Sequence, residues 1–284
     1  MVLGHAVQGG GAEPVIVLHE WLGDGANWDL MRPYLDGGRS TWVFADLRGY
    51  GRSRGMEGAH TVEEAAADAL ALADALGFRR FHVVGHSMSG MIGQYLALTA
   101  PERVKSLVAV CPVPASGFPA DAAAKARMAA VLDDDEALRA AIRLRTGDRY
   151  TAGWVEFKLG IARRAATREA QRGYLDMFTG TDFSAAAAGL ATPILALLGA
   201  HDLPLYQEAS VRERFGALYP NMEVAVCQEA GHYPMLECPP LTAALIERFV
   251  GAQPKGRLHT LRASLAGRSH TPSEILLRES REER

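Results

Sequence analysis

Val83 and Val84 run straight into Gly85-His86-Ser87-Met88-Ser89-Gly90, and a helical pattern follows. A serine at such a strand-to-helix junction can sit on a sharp turn with its hydroxyl exposed. The residues around it must be small, because strand and helix backbones approach closely there. The following helix directs the positive end of its dipole at negative charge developing nearby. A serine hydroxyl is a weak nucleophile at neutral pH and needs a base within hydrogen-bond reach. Two later apolar runs end in residues able to supply one. Residues 194–198 lead into Gly199-Ala200-His201-Asp202, and residues 224–227 lead towards Ala230-Gly231-His232-Tyr233-Pro234. The chemistry expected is attack on an acyl carbon by Ser87. A histidine there could take the serine proton and return it to the leaving group, and a carboxylate could hold the imidazole tautomer and stabilise the imidazolium. His201 and His86 are neighbours of Asp202 and Ser87, but adjacent side chains on an extended segment point in opposite directions, so both are read as shaping their turns. Asp46 also follows an apolar run. Taken singly, Asp202 is also compatible with capping the helical pattern at 206–218, and His232 with an ordinary loop histidine.

Such a trio demands elements that carry distant segments to one rim. Residues 15–19, 41–46, 81–85, 107–111, 194–199 and 224–227 are short, nearly continuous apolar runs, the pattern of parallel strands buried on both faces. Helical stretches at 62–76, 88–100 and 241–250 alternate with them. The fold class expected is therefore α/β, a mostly parallel, doubly wound sheet with right-handed crossovers. In such sheets ligands bind beyond the carboxyl ends of the strands. Residues 113–190 break the rhythm: they are rich in Ala and Arg, carry several helical patterns and are too long for one crossover, so a helical cap inserted into the sheet is expected. The core is then 1–112 together with 191–252. The last stretch, 253–284, carries seven Lys or Arg against four Glu and loses its apolar periodicity. A mobile tail is expected there, with one short helix near 273–281.

Together these motifs resemble the α/β-hydrolase fold family over about residues 15–250. Gly85-His86-Ser87-Met88-Ser89 looks like its G-x-S-x-G nucleophile elbow, with Ser89 in place of the second glycine and Gly90 directly after. The chain order Ser, Asp, His is the family's order, and residues 199–202 and 230–234 look like its acid and histidine loops. The resemblance thus implies Ser87 as nucleophile, His232 as base and Asp202 as the acid that orients it. His19-Glu20-Trp21-Leu22-Gly23 resembles its H-G-x-x-G loop, with Glu20 in place of glycine, and Asp46-Leu47-Arg48-Gly49-Tyr50-Gly51-Arg52-Ser53 its structural D-x-R-G-x-G-x-S segment. The resemblance implies an oxyanion hole built from the backbone N–H groups of Trp21 and Met88. Glu20, Trp21, His86 and Met88 are the candidate pocket residues, under a lid formed by the cap. It implies a serine hydrolase that cleaves a carboxylic ester, lactone or thioester through an acyl-enzyme, with no cofactor and no metal. Carbon–carbon bond hydrolases and cofactor-free haloperoxidase-like enzymes use the same trio, and a ligand-binding receptor on a hydrolase fold is the reading from another class. Epoxide hydrolases and dehalogenases of this fold use an aspartate nucleophile, whereas position 87 is serine.

Composition bounds these readings. The chain has 284 residues, 48% of them hydrophobic and 22% charged, with a formal net charge of -3. That is an ordinary globular composition with no broad basic field, so a small-molecule substrate is expected as partner, and neither nucleic acid nor membrane. Cys111, Cys227 and Cys238 form an odd, scattered set without CxxC spacing, which argues against a disulfide framework and a zinc site. No basic start followed by a long apolar stretch and no run of about eighteen apolar residues occur, so a cytoplasmic location is expected.

Overall fold

The six apolar runs form six parallel strands of one sheet in a computed structural model that describes residues 1–253. The tail expected at 253–284, including the short helix at 273–281, lies outside the described residues apart from Gln253. The strands are β1 (His5–Gln8), β2 (Glu13–Leu18), β3 (Ser40–Ala45), β4 (Phe81–His86), β5 (Val104–Val110), β6 (Ile194–Gly199) and β7 (Met222–Cys227). They lie in the order β1-β3-β2-β4-β5-β6-β7. All neighbours pair in parallel except β1, which runs antiparallel to β3. β1 was not expected from the sequence. It is a four-residue edge strand, His-Ala-Val-Gln, with Val7 exposed, so it lacks the apolar run that marks a central strand.

The helices are α1 (Val62–Ala75), α2 (Met88–Thr99), α3 (Ala122–Ala130), α4 (Asp135–Arg145), α5 (Ala152–Ala165), α6 (Arg168–Gly180), α7 (Ser184–Ala187), α8 (Glu208–Gly216), α9 (Pro234–Glu237) and α10 (Pro239–Ala252). Local chemistry sets their starts. The Thr61 hydroxyl accepts from the Glu64 N–H at 3.2 Å to open α1, and Asp134 and Thr167 cap α4 and α6 in the same way.

Alternation along each strand splits the core between the two faces. Ile16, Leu18, Val43, Val83, Leu107 and Ala109 pack with Ala69, Leu72, Met91 and Leu96 of α1 and α2. Val15, Val17, Trp42, Val84, Val108 and Leu195 point the other way, against Ala243, Ile246 and Val250 of α10. Each aliphatic side chain so buried contributes about 1.5–3 kcal/mol, which is why strands covered on both faces read as unbroken apolar runs. Helices α3 to α7 fill the interval between β5 and β6, where the insertion was expected. They pack with the sheet as one compact unit, Met1–Gly251. Among the described residues no helix is long and apolar enough to cross a membrane.

Candidate active site

Ser87 ends β4 and begins α2 with φ 55° and ψ -113°, a backbone conformation that a non-glycine residue adopts only when its surroundings enforce it. The enforcing contacts are local. The Ser87 N–H donates to the Val110 carbonyl at 2.8 Å, and the Ser87 carbonyl accepts from Gly90 at 2.9 Å and Val113 at 3.0 Å. A Cβ at position 85 would stand 2.2 Å from the Ser89 carbonyl oxygen, and one at position 90 would stand 2.5 Å from the Pro112 Cβ. Close approach, not turn propensity, therefore requires glycine at both positions. The hydroxyl of Ser89, which replaces the family's second glycine, donates to the His19 carbonyl and joins the elbow to the loop after β2.

Asp202 follows β6 and His232 follows β7. Their loops touch so closely that a Cβ on Gly199 would lie 1.9 Å from the Gly231 carbonyl oxygen. The His232 Nδ1–H donates to Asp202 Oδ2 at 2.6 Å, while Asp202 Oδ1 accepts from the Leu203 N–H at 2.7 Å. Asp202 caps no helix: α8 begins at Glu208 after Gln207, without a side-chain cap. His201 is exposed whereas Asp202 is buried, as alternation requires. The His232 backbone is pinned from two sides, its N–H donating to the Arg145 carbonyl at 2.8 Å and its own carbonyl accepting from His86 Nε2 at 2.7 Å. Ser87, Asp202 and His232 are 8%, 4% and 1% exposed, so charge interactions among them are weakly screened.

Several supporting residues gave no signal in the sequence. Tyr206 lies with its ring centroid 4.7 Å from that of His232, on the side where the Ser87 hydroxyl stands. Burial, and next the Asp202 charge, push the Tyr206 pKa up, so the phenol stays protonated and able to donate. Glu237 accepts from the N–H groups of Gly231 and Tyr233, each at 2.8 Å, and so cradles the histidine loop with its carboxylate. Cys111, at φ 41°, places its thiol in a group with Asp202 and His232 whose ligand atoms lie within 4.8 Å of one another. That set suits hydrogen bonding better than a metal: burial first, and Asp202 next, push the thiol pKa up and keep it a poor ligand, and Nδ1 of His232 is engaged by Asp202.

The loop after β2, where an oxyanion donor was expected, is held by hydrogen bonds on both sides of Trp21. His19 Nε2 accepts from the Leu47 N–H at 3.0 Å, which places the ring proton on Nδ1, 2.8 Å from the Glu20 carbonyl it donates to. The Trp21 side chain is buried, its Nε1–H donating to the Gln171 carbonyl at 2.6 Å, and its carbonyl accepts from the Tyr50 hydroxyl at 2.8 Å. Among the described residues the backbone N–H groups of Trp21 and Met88 donate to no protein acceptor. Two expected pocket residues are engaged inside the protein instead. Glu20 is buried and turned onto Lys158, Asn27 and the Leu22 N–H. His86 backs His232 and stacks edge-on with Trp28; burial first and His232 second push its pKa down to about 3, so it is a neutral donor. Asp46 is structural: it accepts from Gly25 at 2.7 Å and from the Arg52 N–H at 2.9 Å, with Gly49 at φ 77°. A surface cleft of about 320 Å³ lined by Asp24, Arg32, Phe44, Asp46 and Arg52 shares no residue with the Ser87 site.

Comparison with known proteins agrees with this geometry. Residues 13–152 match the model of the alpha/beta hydrolase fold family. The chain is 39% identical over 110 residues to the dihydrolipoyllysine-residue acetyltransferase component of the acetoin cleaving system of Cupriavidus necator, covering 38% of this chain and 29% of that protein. It is 36% identical over 115 residues to a fluoroacetate dehalogenase of a Burkholderia species, covering 39% and 38%. The chain thus matches only about a third of the length of these relatives. A crystal structure of bromoperoxidase from Bacillus anthracis superposes with a TM-score of 0.76 at 20% identity, covering 87% of this chain and 94% of that one, a likeness of fold. The order of strands, the positive-φ serine at the β4–α2 junction and these matches lead to one conclusion: the chain belongs to the α/β-hydrolase fold family.

Proposed function

We propose that this protein is a serine hydrolase that cleaves a carboxylic ester, lactone or thioester of a small molecule through an acyl-enzyme. The observation that carries the reading is the strained Ser87 at the rim where His232 and Asp202 meet at 2.6 Å. Ser87 Oγ adds to the substrate carbonyl as His232 takes its proton, and the carbonyl oxygen becomes an oxyanion between the N–H groups of Met88 and Trp21. The tetrahedral centre collapses, the alkoxide or thiolate leaves with the proton returned by the imidazolium, and Ser87 is left acylated. Water, deprotonated by His232, repeats the addition and releases the acid. Asp202 stays ionised throughout and holds Nδ1 protonated. Helices α3 to α7 serve as the cap over the acyl pocket.

A fluorophosphonate probe should label Ser87, and Ser87→Ala should abolish turnover across a panel of acyl and alcohol variants that includes lactones. Unchanged esterase activity in the alanine variant would overturn the reading. A panel on which only carbon–carbon cleavage beside a ketone depends on Ser87 would keep the trio and replace the substrate class. A dehalogenase role, as the name of one relative reads, meets a serine where the resemblance calls for an aspartate nucleophile.

A further inference from the structure

The insertion sends one cation into the interior. Lys158, in the middle of α5, has no exposed side-chain surface. Its Nζ donates to Glu20 Oε1 at 2.8 Å and to the Leu22 carbonyl at 2.7 Å, and the Tyr233 ring centroid lies 4.8 Å away. The partners are the two residues flanking Trp21 and the residue next to His232. Glu20 completes the arrangement: its Oε2 accepts from the Leu22 N–H at 2.8 Å and its Oε1 from Asn27 Nδ2 at 3.2 Å. Burial is the largest single influence and acts against ionising Glu20, but the Lys158 charge together with the hydrogen bonds from Lys158 and the Leu22 N–H holds the carboxyl below the usual carboxylate range.

A buried ion pair is weak evidence for stability, because hydrophobic residues of similar volume often serve the fold as well or better. The location of this one needs another reason. Glu20 stands where the family's motif has its first glycine, one residue before the backbone N–H assigned to the oxyanion hole. We infer that Lys158 is a positioning residue for that hole. Through Glu20 and the Leu22 carbonyl it grips the loop on both sides of Trp21 and fixes where the Trp21 N–H points. The inference rests on the hydrolase reading for its catalytic consequence. Because Lys158 belongs to the insertion, the hole is complete only while α5 is docked on the core.

The test uses Lys158→Met, Glu20→Gln and the double variant. Lys158→Met should lower kcat about 100-fold, the loss expected when one oxyanion donor is misplaced, with KM changed less than about threefold. Affinity for a boronic acid that mimics the tetrahedral state should fall in parallel, while affinity for a product carboxylate holds. Amide hydrogen exchange at residues 20–22 should accelerate. Lys158→Met leaves a buried carboxylate without its cation, so the double variant, which carries no charge there, separates folding from positioning. It should recover the melting temperature and not the rate. A double variant with parental kcat and parental exchange at 20–22 overturns the inference, as does a folded Lys158→Met with parental kcat. Loss of the hydrolase reading itself is distinguishable: the parent would then show no Ser87-dependent turnover, and the exchange rates would still report whether Lys158 holds the loop.

Discussion

At the amino ends of the parallel strands, Glu13 of β2 meets Lys105 of β5 and, at 3.4 Å, His82 of β4, whose Nδ1 lies 2.8 Å from Ser106 Oγ. Opposite charges meet, the β4–β5 register shifts at Phe81/His82, and none of Glu13, His82, Lys105 and Ser106 has a positive φ. At the carboxyl ends of the same strands, Ser87 and Cys111 hold φ of 55° and 41°, and the backbone N–H groups of Trp21 and Met88 face no acceptor among the described residues. Both ends bury polar side chains, yet only one keeps strain and unmatched donors. Each strained residue costs about 1–3 kcal/mol and persists only where its surroundings over-determine it. Here the Val110, Gly90 and Val113 hydrogen bonds do so. The amino end holds strands together, whereas the carboxyl end carries the groups to which the proposed function assigns the chemistry.

Substitutions at the two ends should separate cleanly. The largest effect is expected from Asp202→Asn, which keeps the shape but favours the wrong imidazole tautomer; kcat should fall about 10⁴-fold in steady-state assays. A loss below tenfold would remove Asp202 from the trio. Gly85→Ala puts a Cβ 2.2 Å from the Ser89 carbonyl oxygen and must displace the elbow, so kcat/KM should drop about 100-fold while circular dichroism stays folded. Tyr206→Phe removes one neutral hydroxyl beside the His232 ring, worth about 1 kcal/mol, and should change kcat about fivefold with little effect on melting.

The smallest effect belongs to the other end. Glu13→Gln should leave kcat unchanged and lower stability by about 1 kcal/mol, since solvent screens this partly open pair. Its pH dependence has a definite sign. The hydrogen bond with His82 comes first among the causes that bring the Glu13 pKa down from 4.5 to about 2, against burial and with help from Lys105. The stabilisation is therefore fully present above pH 4.5 and lost as pH falls towards 2. Melting curves of parent and variant should converge over that interval. Divergence there, or a kcat change in Glu13→Gln, would dissolve the contrast between the two ends.

The central strands and the elbow were legible because their signals are local. β6 is buried at all six positions and reads as an unbroken apolar run, whereas β1 is half-exposed at the edge and reads as nothing in particular. Glycines at 85 and 90 follow from the steric demand of one turn. Glu20 was legible only as a departure from a motif, and the partners that hold it and His86 were not legible at all. Each is turned inward by a partner, 138 residues away for Glu20 and 146 for His86, and such distances leave no trace in a periodic pattern.

What the amino-acid order determined by itself is the alternation of buried strands with helices, the sharp turn at Ser87 and the placing of Asp202 and His232 after later strands. These follow from side-chain period and from backbone sterics over a few residues. Only the tertiary structure decided that Tyr206 lies over His232, that Glu237 cradles the histidine loop and that a lysine of the insertion grips the loop carrying Trp21. The physical reason is that a buried polar group must find its partner in space, and space is settled by packing the whole core.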